Sequence, residues 1–214
     1  MSLDQIDFAS LLSSRLCHDL LSPVGALNNG LELMAGETDP EMRQRCFELL
    51  EQSARISANK LKFFRLAFGS AGGFGDLVPA DEVKAAIEGL LNDRTTLGWI
   101  VGGNALPKPA AKCLLNLALV AADAMVRGGQ LDIGAEQRGN EMEMVVRATG
   151  DRITLDPEIR RALEGGMAEE ELSSRTAAAW MTSRLSSANG GKLMVQTDEG
   201  LLALGAIMRL EQQG

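Results

Sequence analysis

Apolar residues return every three or four positions between residues 5 and 35: Phe8, Leu12, Leu16, Leu20, Val24, Leu27, Leu31 and Met34. That period predicts one long helix with a single apolar stripe. Gly36 signals its stop, and Thr38-Asp39-Pro40-Glu41 signals a new start: a capping side chain, a proline in the first turn and an acid at the positive helix end. A second helix is expected over residues 40–68, with Cys46, Leu49, Leu50, Ile56, Leu61, Phe64 and Ala67 as its stripe. So short a connection makes the two helices antiparallel. A lone hairpin cannot bury both stripes, and the simplest partner is a second copy, which gives a four-helix bundle.

Residues 69–77 read Gly-Ser-Ala-Gly-Gly-Phe-Gly-Asp-Leu, a glycine-rich linker. Beyond it helix and strand patterns alternate. Helices are expected near 79–92, 107–127, 157–164 and 172–188, and strands near 96–101, 130–137, 140–149, 191–197 and 201–210. Arg138-Gly139-Asn140 and Asp198-Glu199-Gly200 have the composition of hairpin turns. The expected fold is therefore two domains: a helical hairpin over residues 1–70 that dimerises into a four-helix bundle, a linker over 71–77, and an α+β sandwich over 78–214 with its helices on one face of a mixed sheet.

Composition narrows the function. Aromatic residues make up 4% of the chain and Tyr is absent, so the core must be built from Leu, Ala, Met and Val, which suits helical packing. A formal net charge of −8 without a strong basic patch argues against nucleic-acid binding. The three cysteines, Cys17, Cys46 and Cys113, are odd in number and lack metal-ligand spacing, which points to a reducing compartment. Cys17 is read as a buried thiol. No signal peptide and no bilayer-length apolar run is visible, so no membrane association is expected.

The chain holds one histidine, His18. At about 100° per residue it lies roughly opposite the apolar stripe of the first helix, among Leu11, Ser14, Arg15, Ser22, Gly25 and Asn29. By periodicity alone this is an ordinary exposed histidine. The string Leu16-Cys17-His18-Asp19-Leu20-Leu21-Ser22-Pro23-Val24 changes that reading. It resembles the phosphoacceptor box of two-component histidine kinases, in which an acid follows the histidine, a Thr or Asn stands at +4 and a proline at +5. The matching positions here are Asp19, Ser22 and Pro23. An imidazole nucleophile needs its reactive nitrogen neutral and oriented. The acid can bond the other ring nitrogen, the hydroxyl one turn on can reach a phosphoryl group, and the proline removes a backbone donor and bends the helix.

The second half resembles the ATP-binding domain of the same kinases. Asn116-Leu117 starts like the asparagine box, Gly150 stands at the first glycine box, and Asn189-Gly190-Gly191-Lys192 resembles the turn before the penultimate strand. The working residues depart from the pattern. Val120 replaces the second asparagine, Ala148 the adenine-contacting aspartate, Arg152 a glycine, and Thr176-Ala177-Ala178-Ala179 the second glycine box; the lid, residues 155–172, is short. Without those glycines the backbone cannot approach phosphates closely.

An acceptor hairpin joined to a degenerate nucleotide domain resembles the ChpT-type histidine phosphotransferases of alphaproteobacteria along essentially the whole chain, most specifically over Cys17 to Leu33. The resemblance implies a cytoplasmic homodimer in a phosphorelay of cell-cycle regulation. His18, Asp19 and Ser22 would be its catalytic residues, and Ser14, Arg15, Leu21, Ser22 and Gly25 would bind receiver domains. It implies a hybrid kinase of the CckA type as donor and response regulators of the CtrA and CpdR type as acceptors. No cofactor is expected on this chain, since Mg²⁺ would sit on the receiver. Arg55, Lys60, Lys62 and Arg65 suit either the negative end of a helix or a docking surface. The alternatives are an ATP-dependent histidine kinase and a non-catalytic dimer that only binds receivers.

Overall fold

The computed structural model describes residues 4–69 and 75–210. Most of the expected linker, residues 70–74, lies outside the described residues. Helix α1 spans Gln5–Gly36 and is capped by the Asp4 side chain, which accepts from the Ile6 amide. Helix α2 spans Pro40–Phe68; its cap, Asp39, accepts from the Glu41 and Met42 amides, as the Thr38-to-Glu41 signal predicts. The two helices form the expected antiparallel pair. Their closest seam runs past Gly30, where a Cβ would come within 2.9 Å of the Leu50 side chain.

The rest of the chain is built from β1 (Leu77–Pro79), α3 (Ala80–Glu88), β2 (Thr95–Val101), β3 (Ala105–Pro107), α4 (Lys108–Ala124), β4 (Gly129–Arg138), β5 (Glu141–Thr149), α5 (Pro157–Leu163), α6 (Ala177–Ala188), β6 (Lys192–Asp198) and β7 (Leu201–Arg209). Five strands form one sheet in the order β2-β4-β5-β7-β6; β2 and β4 are parallel and the other neighbours antiparallel. The turns after β4 and β6 use Gly139 and Gly200 at φ +62° and +66°, a region open to glycine at little cost. The short β1–β3 pair and a 3₁₀ turn at Glu169–Glu171 are additions to the expected elements.

Alternation sorts the sheet into two faces. Leu131 and Ile133 of β4, Met144 and Val146 of β5, and Leu202 and Leu204 of β7 point inward and are buried. Over them lies α4, itself buried along most of its length. The core continues into the hairpin: Phe63, Phe64, Leu66 and Ala67 at the end of α2 belong to the same buried cluster, and Leu16 of α1 packs against it. Phe8 of α1 meets Trp180 of α6 with ring centroids 5.1 Å apart. The hairpin therefore already has one partner in its own chain, which the stripe argument left out.

Two expectations about α1 need correction. Its buried positions are Pro23 and Gly30, whereas Val24 and Leu31, read as stripe centre, are exposed in the single chain. Helix α2 and the sheet domain cover one side of the stripe and leave its flank open. Cys17 lies towards that open flank and is exposed, not buried; Cys46 and Cys113 are buried.

Candidate phosphoacceptor site

His18 sits in the middle of α1 with its side chain 83% exposed. Nothing among the described residues encloses it, as expected from its position opposite the apolar stripe of α1. Its Nδ1 lies 3.2 Å from Oδ1 of Asp19. An ionised carboxylate can only accept, so this contact places the ring proton on Nδ1 and leaves Nε2 with a free lone pair. In that neutral form Nε2 is the unprotonated nitrogen of the exposed ring, the one able to act as a nucleophile.

Asp19 is only 14% exposed and is held from its other side. Its Oδ2 accepts from Arg15 Nε at 2.7 Å, one helical turn back. Arg15 in turn donates through Nη2 to Oδ2 of Asp123, at 2.8 Å, in the last turn of α4. One guanidinium thereby bridges two carboxylates, one from each part of the molecule. Burial pulls its pKa down, but Asp123 and then Asp19 outweigh that, and the net shift is upward.

Pro23 contributes through what it lacks. In an α-helix the amide of residue 23 would donate to the carbonyl of residue 19, and proline has no such N–H. Lys60 of α2 fills the gap: its Nζ donates to the Asp19 carbonyl oxygen at 2.9 Å. The backbone beside the histidine is therefore tied to α2 by a lysine, and a cavity of about 220 Å³ bordered by Arg15, Asp19, Lys60 and Asp123 lies alongside.

The other expected site residues divide in two. Ser14 and Ser22 are exposed, Leu21 is 74% exposed, and Gly25 has open space where a Cβ would stand. They share the outward face with His18. Arg15 does not join them: its side chain is 13% exposed and turned towards α4. Lys60 is likewise engaged, whereas Arg55, Lys62 and Arg65 are exposed. Asp123 and the Lys60 contact were not foreseen. The pairing of Pro23 with the Asp19 carbonyl could have been read from the spacing; the partner Asp123, 108 residues from Arg15, carried no local signal.

Of the positions that correspond to the nucleotide boxes, Arg152 is exposed and most of the others are packed. Val120, Ala148, Ala177, Ala178 and Ala179 are buried, and their methyls fill the core. Asn116 is buried, and its amide donates to the Lys112 carbonyl of its own helix at 2.8 Å. Gly150 has a structural cause, since a Cβ there would stand 2.6 Å from the Gly128 carbonyl. Among the described residues no three His, Cys, Asp or Glu side chains cluster as a metal site, and no helix is long and apolar enough to cross a membrane.

Comparison with known proteins gives the family and the fold. A family model described as the histidine phosphotransferase C-terminal domain matches residues 80–200. The chain is 32% identical over 197 residues to the protein phosphotransferase ChpT of Brucella abortus (strain 2308), covering 91% of this chain and 92% of that protein. It also superposes on a bacterial phosphotransferase of known structure with a TM-score of 0.84 and 28% identity, covering 96% of this chain and 98% of that one.

Proposed function

Given that the chain belongs to the ChpT-type histidine phosphotransferases, we propose that it is a phosphorelay intermediate that carries a phosphoryl group on His18 between aspartates of two receiver domains, without ATP. One observation carries this reading: an exposed imidazole whose Nδ1 is held by the largely enclosed Asp19.

The step is a direct displacement. The Nε2 lone pair attacks the phosphorus of an aspartyl phosphate on the donor receiver. The acyl P–O bond breaks, and the donor aspartate leaves as a carboxylate. Nδ1 keeps its proton, so the ring becomes a phospho-imidazolium whose positive charge faces Asp19. The carboxylate of a second receiver then attacks phosphorus, and the N–P electrons return to Nε2. No proton must enter or leave this chain, and positioning supplies most of the rate. The Mg²⁺ that offsets phosphoryl charge belongs to the receiver. Ser22, one turn on and exposed, would contact the phosphoryl oxygens or the docked receiver.

Receivers would dock on Ser14, Leu21, Ser22 and Gly25, of which the first three are exposed and Gly25 is half-buried with open space beside its Cα. Arg15 leaves that set for a place behind Asp19. The partners implied by the family are a CckA-type hybrid kinase as donor and CtrA- and CpdR-type regulators as acceptors, in cell-cycle signalling in the cytoplasm. The packed alanines at Ala177, Ala178 and Ala179 support transfer without bound nucleotide.

The hairpin domain would also be the dimer interface. Val24 and Leu31 of α1 and Phe47, Ile56 and Leu61 of α2 are exposed in one chain, and a second hairpin packed against them completes a four-helix bundle.

The test is transfer from a ³²P-labelled receiver in ATP-free buffer. The wild-type chain takes up label and His18→Ala takes up none. Label on His18→Ala, or none on the wild type, refutes the reading.

A further inference from the structure

The sheet domain reaches the phosphoacceptor through Asp123. We propose that Asp123 is a positioning residue for His18: by holding Arg15 it fixes the Asp19 carboxylate, which fixes the imidazole with its proton on Nδ1. This rests on the assignment of His18 as acceptor made above.

The chain of contacts is continuous. Asp123 Oδ2 accepts from Arg15 Nη2 at 2.8 Å, Arg15 Nε donates to Asp19 Oδ2 at 2.7 Å, and Asp19 Oδ1 faces His18 Nδ1 at 3.2 Å. Its two inner members are 13% and 14% exposed, while its outer end, the imidazole, is open to solvent. A guanidinium has donors on one planar fork, so anchoring Nη2 on α4 sets the plane in which Nε meets Asp19. Without that anchor Arg15 is a flexible side chain on an exposed helix, and Asp19 gains freedom to turn from the ring. The imidazole then samples the form with hydrogen on Nε2, which cannot attack phosphorus.

Alternatives at this position are weaker. Asp123 is half exposed, but its carboxylate is already bonded to Arg15, so a receiver gains little by contacting it. Lys60 steadies the backbone of Asp19 and does not reach the carboxylate that faces the ring.

His18 is the single histidine of the chain, so one ring system reports on the whole proposal. In untagged protein, ¹⁵N ring spectra taken about two pH units above the ordinary imidazole value of about 6.5 distinguish the two neutral forms. Wild type should hold the Nδ1–H form. Asp123→Asn, near-isosteric and uncharged, should shift the ring towards the mixture of free imidazole. It should slow phosphoryl uptake about tenfold with receiver affinity unchanged, and Asp123→Glu should restore part of both. A wild-type ring form in Asp123→Asn overturns the proposal. So does a rate loss matched by weaker receiver binding, and so does a loss that Asp123→Glu leaves in place. The ring spectrum needs no phosphate, so it reads the positioning even if His18 proves not to accept a phosphoryl group.

Discussion

At the scale of single residues, the site is organised by two substitutions for what a regular helix would supply. Pro23 withholds the amide that would satisfy the Asp19 carbonyl, and Lys60 replaces it from α2 at 2.9 Å. The exchange turns a bond inside one helix into a bond between two. It also predicts coupling. Lys60→Met should cost about 1–2 kcal/mol in wild type, because it leaves a partly buried carbonyl without a donor. In a Pro23→Ala background the restored amide serves that carbonyl, and the same Lys60→Met change should cost about 1 kcal/mol less. Urea unfolding of the four proteins checks this; equal costs in both backgrounds would separate the two residues. The string from Leu16 to Val24 was legible because it resembles the phosphoacceptor box of histidine kinases, with Asp19, Ser22 and Pro23 at the matching offsets from His18. The direction of Arg15 was not legible. Helical periodicity places it near the outer face, and only a carboxylate on α4 decides that its long side chain turns inward.

At the scale of elements, both helices of the hairpin fall where caps and periodicity place them, and α2 begins at Pro40 and ends at Phe68 as expected. The five strands of the main sheet also match, because alternating buried positions and the two glycine turns fix them locally. The β1–β3 pair was missed; strands of three residues each carry too few positions to show a period. The apolar stripe of α1 was read correctly as a stripe but not as two surfaces. Gly30 meets Leu50 of α2 and Pro23 is buried, while Val24 and Leu31 stay open. That open flank argues for a second copy. Leu31→Asp would place a charge in the proposed helix–helix contact of each copy, so light scattering should show a monomer that keeps wild-type helicity. A Leu31→Asp protein with the mass of the wild type would mean that this flank is not an interface.

At the scale of the whole molecule, the sheet domain meets the hairpin through the buried cluster at the end of α2 and the Arg15–Asp123 ion pair. The segments that resemble nucleotide boxes hold buried alanines and a structural glycine, and the end of α4 meets α1 through the Asp123–Arg15 bond. The same buried cluster holds the end of α2 and the inner face of the sheet domain. Sequence reading treated the two halves as separate units joined by a linker, because contacts across 108 residues leave no local trace. Everything in the account turns on which ring nitrogen is free to attack. The direct measurement is the ¹⁵N spectrum of the chain after phosphorylation by a labelled receiver without ATP, read for the nitrogen bonded to phosphorus. Phosphorus on Nε2 of His18, with Nδ1 still protonated beside Asp19, is the predicted result. Phosphorus on Nδ1, or on any other side chain, would contradict it.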